Sequence, residues 1–231
     1  MTPAATRDVL VTGGTGYMGR ALIPALLARG HRVRVLARPA SLARVPAGAT
    51  PLAGDALEAA SIASVLRPGD TLVQLVGTPH PSPQKAAQFI SVDLASARAA
   101  AEAARRVGAA HFVYVSVAQP APVMAAYLAA RAEAERALVQ ARLTATVLRP
   151  WYVLGPGHRW PLLLAPLYGV ARLLPSTRDG ARRLGLVTLR QMVNALVAAV
   201  ESPPPPGTLR LLDVPAIRAA RPATLAAGGK P

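Results

Sequence analysis

The sequence contains no cysteine, which excludes disulfides, thiolate metal sites and a cysteine nucleophile. Aromatic residues make up only 4% of the 231 residues, whereas hydrophobic residues make up 52%, so we expect an aliphatic core of Ala, Leu and Val. No apolar run reaches the roughly 18 residues of a membrane-spanning helix. The first residues, MTPAATRD, lack the basic start and apolar segment of a signal peptide. These absences predict a cytoplasmic protein.

Lysine is also scarce. Lys85 and Lys230 are the only lysines, and the other 24 of the 26 basic residues are arginines, within a formal net charge of +15. The arginines are scattered, with no block of five or more Lys/Arg residues and no signature of a nucleic-acid-binding fold. Since a basic surface alone binds nucleic acid only nonspecifically, we expect no nucleic-acid partner. The positive field would instead attract a phosphorylated cofactor or an acidic substrate.

The glycine-rich stretch at residues 12–19, TGGTGYMG, follows the apolar run Val-Leu-Val and opens a helical pattern that continues to residue 29. A strand, a glycine turn and a helix in this order suit a dinucleotide pyrophosphate, which the free N–H groups and partial positive charge of the helix N-terminus stabilise. A glycine turn that holds no ligand is the simpler alternative. The predicted cofactor-binding residues of this stretch are Gly13, Thr15, Gly16, Tyr17, Met18 and Gly19.

Segments predicted to be strands, at residues 31–37, 50–53, 71–76, 111–117 and 145–148, alternate with helical patterns at 57–66, 89–107 and 125–141. This alternation predicts an α/β fold with a Rossmann-type, doubly wound parallel sheet and helices on both faces over residues 1–150. For residues 151–217 we predict a small substrate or lid lobe integrated with the first domain, which contains a helix at 189–201 and a strand at 209–214. Residues 218–231 are predicted to be disordered.

The end of the second predicted strand indicates which nicotinamide cofactor binds. A carboxylate about 20 residues past the glycines would hold the ribose hydroxyls of NAD, whereas an arginine accommodates the 2′-phosphate of NADP. Arg38 stands at this point, and no carboxylate occurs between Asp8 and Asp55. We therefore predict NADP(H) in preference to NAD, the alternative being that Arg38 lies on a solvated loop.

Three further residues follow predicted strands at the edge where ligands bind in such sheets. Asp55 either accepts a hydrogen bond from the adenine amino group or caps the helix that begins near Leu57. Gly77 and Thr78, after the fourth strand, are predicted to lie beside the cofactor's ribose and phosphates.

Taken together, these motifs resemble the extended and atypical short-chain dehydrogenase/reductases, near the epimerases and NmrA-like proteins. The resemblance covers about the first 155 residues and rests on TGGTGYMG, ARP, GDALE, VDLASARAAAEAARRVGAAHFVYVS, YLAARAEAERAL and LRPWYVLGPG. It implies a Rossmann domain with a small C-terminal substrate lobe, and it adds Pro150 to the cofactor-binding residues.

Catalysis in that family uses a serine or threonine after the fifth strand and a Tyr-x-x-x-Lys helix. Ser116 and Tyr127 match the first two positions, whereas Arg131 stands where the family has lysine. Arginine keeps a positive charge that favours tyrosinate. Because it does not deprotonate, it cannot pass a proton on to the tyrosine. Three interpretations remain: an altered reductase with Ser116, Tyr127 and Arg131 at its centre, another role for Tyr127, or a Tyr127 that only packs on the sheet.

The four histidines do not predict a metal site, because none has a histidine or carboxylate partner at ligand spacing. His31 and His111 each open a strand and are predicted to be structural, while His80 and His158 either contact substrate or lie on solvated loops. Residues 160–174 are rich in leucine and carry one charge, Arg172. They form either a core helix of the small lobe or an apolar lid over a hydrophobic substrate, and they predict at most peripheral membrane contact.

The resulting prediction is an NADP(H)-dependent oxidoreductase for an apolar small molecule with a carbonyl or quinone-like group. One alternative is a catalytically weak NAD(P)H-binding sensor or assembly factor, like NmrA-like proteins or the Rossmann subunit of respiratory complex I. The other is a sugar-nucleotide epimerase or dehydratase, for which the region after residue 149 is short and apolar. The sequence predicts no oligomeric state.

Overall fold

A computed structural model of the chain describes residues 5–156 and 183–222. The strands are β1 (Asp8–Thr12), β2 (Arg32–Ala37), β3 (Thr50–Ala53), β4 (Thr71–Gln74), β5 (His111–Val115), β6 (Ala145–Leu148), β7 (Tyr152–Leu154), β8 (Leu186–Thr188) and β9 (Leu209–Leu212). The bounds of β3 and β6 agree with the predictions. Strand β2 begins one residue later than predicted, and β4 and β5 each end two residues earlier.

The α-helices are α1 (Tyr17–Leu27), α2 (Ala59–Ala63), α3 (Ala86–Gln88), α4 (Ala95–Val107), α5 (Ala125–Gln140), α6 (Leu189–Glu201) and α7 (Val214–Ala219). Short 3-10 helices span Pro39–Arg44 and Pro83–Lys85. The single helix predicted for residues 89–107 is divided, because a π-helical segment, Phe89–Leu94, precedes α4. A π-helical turn changes the direction of its side chains, and here it carries the buried Asp93.

Seven parallel strands form one sheet in the order β3-β2-β1-β4-β5-β6-β9, and β7 and β8 form a separate parallel pair. From β1 the chain builds outward to β3, then returns to add β4 on the other side of β1. This reversal creates a crevice at the carboxyl ends of β1 and β4, the place where such sheets bind their ligands. The predicted Rossmann-type, doubly wound parallel sheet is confirmed.

Both faces of the sheet are covered by helices. Neighbouring residues on each strand point to opposite sides, so every strand contributes side chains to both cores. Val9 and Val11 pack with α1 and α6 on one face, whereas Leu10 packs with α4 and α5 on the other. Helix α4 contributes mostly alanines to this second core, such as Ala97 and Ala100. The expected aliphatic core is therefore present.

The strand predicted for residues 209–214 was assigned to a small C-terminal lobe, and this placement is wrong. Strand β9 ends at Leu212 and pairs in parallel with β6, with Leu209 opposite Ala145, so it extends the large sheet. Its backbone groups find hydrogen-bonding partners on the otherwise open edge of β6. Helix α6 also packs into the core of the large sheet, through Leu196 and its neighbours. Elsewhere, the division of the chain at residue 150 stays a prediction.

The interpretations of His158 and of residues 160–174 lie outside the described residues, as does residue 223 onward of the predicted tail. Arg218 and Ala219, which we predicted to be the start of the disordered tail, belong instead to α7. Asp213 caps this helix by accepting a hydrogen bond from the backbone of Ala216. No helix in the described ranges combines the length and the apolar character that crossing a membrane requires.

Candidate functional site

The glycine turn after β1 has the shape that a dinucleotide requires. Gly13 adopts a φ of +75°, and a Cβ atom there would lie 2.8 Å from the carbonyl carbon of Leu75, at the end of β4. A Cβ atom on Gly19 would lie 2.4 Å from the carbonyl oxygen of Gly14, so glycine at this position lets α1 rest directly on the turn. Gly19 therefore allows close packing between α1 and the turn itself.

The N-terminus of α1 lies at the glycine turn and suits an anion. Its N-cap residue, Gly16, makes no side-chain capping hydrogen bond, and its first turn contains no acidic residue. The first N–H groups of a helix have no partner within the helix and point toward a ligand. The helix N-terminus and the glycine turn fit a dinucleotide pyrophosphate. Thr15 lies in this turn and Met18 in the first turn of α1, and their contacts with the cofactor stay predictions.

Tyr17, the first residue of α1, packs against the segment that follows β7. A Cβ atom on Gly155 would lie 2.0 Å from the Tyr17 hydroxyl oxygen, so the ring fills the space that this glycine leaves open. Burial raises the pKa of the Tyr17 hydroxyl. Tyr17 therefore links the glycine turn to the chain after residue 150.

Arg38 immediately follows β2 and is exposed. Nearby, the Arg44 guanidinium donates to the Ser41 hydroxyl at 2.6 Å, and the Ser41 backbone N–H donates to the Arg38 carbonyl at 2.7 Å. The two guanidinium groups and the hydroxyl lie around one short 3-10 turn. This turn combines the charge and the donors that a phosphate monoester would bind.

Asp55 accepts a hydrogen bond from the backbone N–H of Leu57 at 2.9 Å, and its own N–H donates to the Ser61 hydroxyl at 2.9 Å. Helix α2 begins later, at Ala59, with Glu58 as its N-cap, so the predicted capping of a helix at Leu57 is wrong. The carboxylate stabilises a local turn instead. Its predicted contact with adenine stays a prediction.

Arg131 is the most constrained side chain at the carboxyl edge of the sheet. It is 6% exposed, and its guanidinium donates to Asp93 at 2.6 Å, to the Val115 carbonyl at 2.9 Å and to the Tyr114 hydroxyl at 3.1 Å. Burial alone would lower the pKa of Arg131, but the neighbouring Tyr127, Tyr114 and Asp93 raise it above its usual range. Arg131 therefore remains a cation.

The same ion pair holds the loop after β4. Asp93 accepts from the Thr78 backbone N–H at 2.9 Å and from the Thr78 hydroxyl at 2.5 Å. A Cβ atom on Gly77 would lie 2.5 Å from a guanidinium nitrogen of Arg131, so this glycine admits the arginine. The backbone N–H and the hydroxyl of Thr78 thus both donate to Asp93. The predicted contacts of Gly77 and Thr78 with the cofactor stay predictions.

Ser116, next to Val115, is buried and donates its hydrogen to a carboxylate oxygen of Glu135 at 2.5 Å. The same oxygen accepts from Gln119 at 3.1 Å and from Arg149 at 3.0 Å, and Arg149 also forms an ion pair with the second oxygen. Pro150 is buried beside this group, and its carbonyl accepts from the backbone of Ala118.

Tyr127 lies on α5, one turn before Arg131, and is half-buried. Its ring packs against Phe89 with a centroid distance of 4.9 Å, and the Arg131 guanidinium carbon lies 5.2 Å from its centroid. The structure thus groups Tyr127, Arg131 and Ser116 around the end of β5. The ring also contributes to the core beneath α5, so the packing role and the catalytic role remain compatible.

Reasoning from the sequence missed four members of this cluster: Tyr114, Asp93, Glu135 and Arg149. A signal for one of them was present. Tyr127, Arg131 and Glu135 are spaced four residues apart, which places them on one face of a helix. An acidic residue on the face that carries two predicted catalytic residues is a candidate for the same site.

Three of the four histidines lie in the part of the chain that the structure describes. No group of three or more potential ligands occurs in residues 5–156 and 183–222. His31 and His111 are buried where their strands begin, as predicted for structural residues, and His80 is exposed on a loop.

A model of a family described as NAD(P)H-binding matches residues 13–158 of the chain. The chain belongs to this family, within the extended short-chain dehydrogenase/reductases. It is therefore an oxidoreductase-like protein with a nicotinamide cofactor site, as the motifs predicted.

Two relatives are similar to this chain over most of its length. A 3-diazoavenalumate denitrifying reductase from Streptomyces sp is 32% identical over 221 residues, covering 84% of this chain and 72% of the relative. A ceramide reductase from Caulobacter vibrioides is 29% identical over 205 residues, covering 88% of this chain and 64% of the relative. The chain thus spans less than two thirds of the second relative.

Solved structures share the Rossmann-type fold at low identity. MoeE5 in complex with UDP-glucuronic acid and NAD has a TM-score of 0.65 at 20% identity, covering 89% of this chain and 75% of that one. A UDP-galactose 4-epimerase has a TM-score of 0.66 at 19% identity, covering 89% of this chain and 76% of that one. At these identities the likeness shows the fold alone.

Proposed function

We propose that the protein is an NADP(H)-dependent oxidoreductase that acts on the carbonyl or quinone-like group of an apolar small molecule. The observation that carries the proposal is the grouping of Tyr127, Arg131 and Ser116 at the carboxyl edge of a sheet whose first turn fits a dinucleotide. A bound nicotinamide supplies or accepts the hydride at the substrate carbon. Tyr127 gives its hydroxyl proton to the substrate oxygen during reduction and regains a proton from solvent.

The charge at Arg131 supports this role for Tyr127. A fixed cation next to a phenol stabilises the phenolate that remains after proton transfer. Because the guanidinium of Arg131 is already bonded to Asp93, Tyr114 and Val115, it acts by position and charge and does not itself carry the proton.

The preference for NADP(H) rests on Arg38 and its neighbours. Arg38 is exposed after β2, beside Arg44 and Ser41, and no carboxylate stands at the end of this strand. A carboxylate there would hold the two ribose hydroxyls of NAD, whereas guanidinium groups favour a 2′-phosphate.

The preference for an apolar substrate rests on the leucine-rich residues 160–174 of the sequence. An open cleft of about 650 Å³ also lies beside the segment after β7, on the α1 side of the sheet and therefore on the face opposite α5. Most of its lining is apolar, contributed by Ala21, Leu154, Pro156, Leu189 and Val193. Tyr17 connects this cleft to the glycine turn through its packing on Gly155. The name of the ceramide reductase, whose substrate class is a lipid, supports the same preference.

The cofactor assignment is tested by calorimetric titration of the purified protein with NADPH and NADH. We expect NADPH to bind at least tenfold more tightly, about 1.4 kcal/mol. Arg38→Ala should abolish that preference, whereas Arg105→Ala, which removes an exposed arginine on α4, should keep it. Equal affinities in the wild type would withdraw the role of Arg38.

Tyr127→Phe tests the chemistry, since it removes only the hydroxyl group. We expect reduction of a carbonyl or quinone panel to slow by about 10²–10⁴-fold, the usual contribution of a positioned acid, with NADPH affinity unchanged. If the rate is unchanged, Tyr127 is not the proton donor.

A second candidate function is an NADP(H)-binding sensor or assembly factor. It is favoured by Arg131, whose guanidinium is held in a buried ion pair where the family has lysine. Tight NADPH binding without turnover of any carbonyl or quinone would support it over the oxidoreductase.

A further inference from the structure

The hydroxyl group of Ser116 donates its hydrogen to the carboxylate of Glu135. Ser116 is 3% exposed, Glu135 is 7% exposed, and their oxygens lie 2.5 Å apart, a distance typical of a hydroxyl bonded to a carboxylate. Arg149 contacts both oxygens of Glu135, one through Nε at 3.0 Å, so the pair has the two-point geometry of guanidinium with an ionised carboxylate. An ionised carboxylate has no hydrogen to give, and Ser116 must therefore be the donor.

A serine hydroxyl has one hydrogen and two lone pairs. With the hydrogen directed to Glu135, Ser116 can only accept a hydrogen bond from anything else that approaches it. A carbonyl oxygen is also only an acceptor, so placing it against Ser116 would leave two acceptors facing each other in a poorly hydrated site, which is unfavourable.

Ser116 is linked to the proposed reaction centre through its neighbour in the chain. It follows Val115, whose carbonyl accepts from Arg131, and Arg131 stands over the Tyr127 ring. We expect a substrate carbonyl that is bonded to Tyr127 to direct its neighbouring carbon substituents toward the serine.

We propose that Glu135 is a positioning residue that makes Ser116 an acceptor, and that the site selects carbonyl compounds with an O–H or N–H group on the carbon next to the carbonyl. This inference rests on the proposed function, in which Tyr127 is the donor to the carbonyl oxygen. Glu135, Arg149 and Gln119 then determine which substrates bind, without contacting the reacting atoms.

Three apolar ketones separate donor recognition from other effects. Benzoin carries a hydroxyl next to its carbonyl, deoxybenzoin lacks it, and benzoin methyl ether keeps the oxygen and its electron withdrawal but has no hydrogen to donate. The readout is the ratio of kcat/KM for benzoin to that for each of the other two ketones. Because all substrates are measured on one preparation, the ratio does not depend on how much of the protein is folded.

In the wild type we expect benzoin to be preferred about tenfold or more over its methyl ether, the effect of about one hydrogen bond. Ser116→Ala should remove this preference. Glu135→Gln should reduce it and improve deoxybenzoin relative to benzoin, because a neutral amide holds the Ser116 hydrogen less firmly. Glu133→Gln is the matched control, since Glu133 lies on the same helix and pairs with the exposed Arg98 and Arg136.

Two results would overturn the inference while leaving the proposed function intact. One is equal reduction of benzoin and its methyl ether by the wild type. The other is an equal loss of rate for all three ketones in Ser116→Ala, which would mean that Ser116 donates to the carbonyl oxygen.

If no ketone is reduced, binding of the same ketones to the protein saturated with NADP is measured by calorimetry. A preference for benzoin that is lost in Ser116→Ala would support the acceptor role of Ser116 and withdraw the catalytic role of Tyr127. No preference, or no binding of any ketone, would overturn the inference.

Discussion

The ion pair between Arg131 and Asp93 is predicted to be a main support of the carboxyl edge of the sheet. Replacing Arg131 with methionine keeps a flexible side chain of similar length but removes the cation. Asp93 would then stay in the interior with only the two hydrogen bonds from Thr78. The Val115 carbonyl and the Tyr114 hydroxyl would each lose a donor.

The size of the effect follows from burial. The side chains of Arg131 and Asp93 are 8% and 0% exposed, and removing one partner of a buried pair costs about 3–5 kcal/mol because the other charge is left without compensation. A domain has a total stability of roughly 5–15 kcal/mol, so this loss is a large part of it. For a chain of this size, a loss of about 4 kcal/mol corresponds to a fall in Tm of roughly 8–16 °C.

The measurement is urea unfolding followed by far-UV circular dichroism, with the free energy extrapolated to zero urea. Arg136→Met is the control, because Arg136 pairs with Glu133 on the same helix but is 65% exposed. It should cost at most about 1 kcal/mol. The double variant Asp93→Asn, Arg131→Met should lose less than Arg131→Met alone, because no unpaired charge remains.

The reasoning would be refuted if Arg131→Met cost no more than Arg136→Met. It would also fail if the loss of unfolding free energy in the double variant equalled the sum of the losses in Arg131→Met and in Asp93→Asn. The two side chains would then act independently.

Two other predictions concern the glycine turn and the pH dependence of stability. Gly19→Ala should abolish NADPH binding in calorimetry, because its Cβ atom would lie 2.4 Å from the carbonyl oxygen of Gly14. Gly108→Ala is the control, because Gly108 has a φ of +80° but open space around it. This variant should lose only about 1 kcal/mol of unfolding free energy and should still bind NADPH. Burial lowers the pKa of His111 from its usual 6.5 to about 3, so the imidazole is neutral in the folded state above that pH. The unfolded chain therefore takes up a proton as the pH falls below 6.5, and unfolding free energy should drop by up to about 1.4 kcal/mol per pH unit toward pH 3. Urea unfolding at several pH values should show a shallower slope in His111→Gln, and an unchanged slope would contradict the assignment.

Much of the fold was predictable because its signals are local. The run 145–148 is apolar because β6 is covered on both faces, and its bounds could be read from neighbouring residues alone. The glycine turn was predictable for the same reason, since Gly13 and Gly19 are required by contacts within the turn and with the nearest strand. Cofactor class and sheet type follow from these short patterns.

The position of β9 was not predictable in this way. Three of its four residues are leucines, which suit either location, and only the open edge of β6, formed about 60 residues earlier in the chain, decides that β9 joins the large sheet. Parallel pairing depends on hydrogen bonds between distant segments, which no local pattern encodes.

The hydrogen-bonding partners of the polar side chains at the site also depend on contacts between segments that are distant in the chain. The sequence, through its resemblance to a known family, indicates Ser116, Tyr127 and Arg131 as members of one site. Only the tertiary structure shows that Arg131 is paired with Asp93 and that the hydrogen of Ser116 is directed to Glu135. Charged side chains are costly to bury without partners, and those partners come from whichever elements the packing of the sheet brings together.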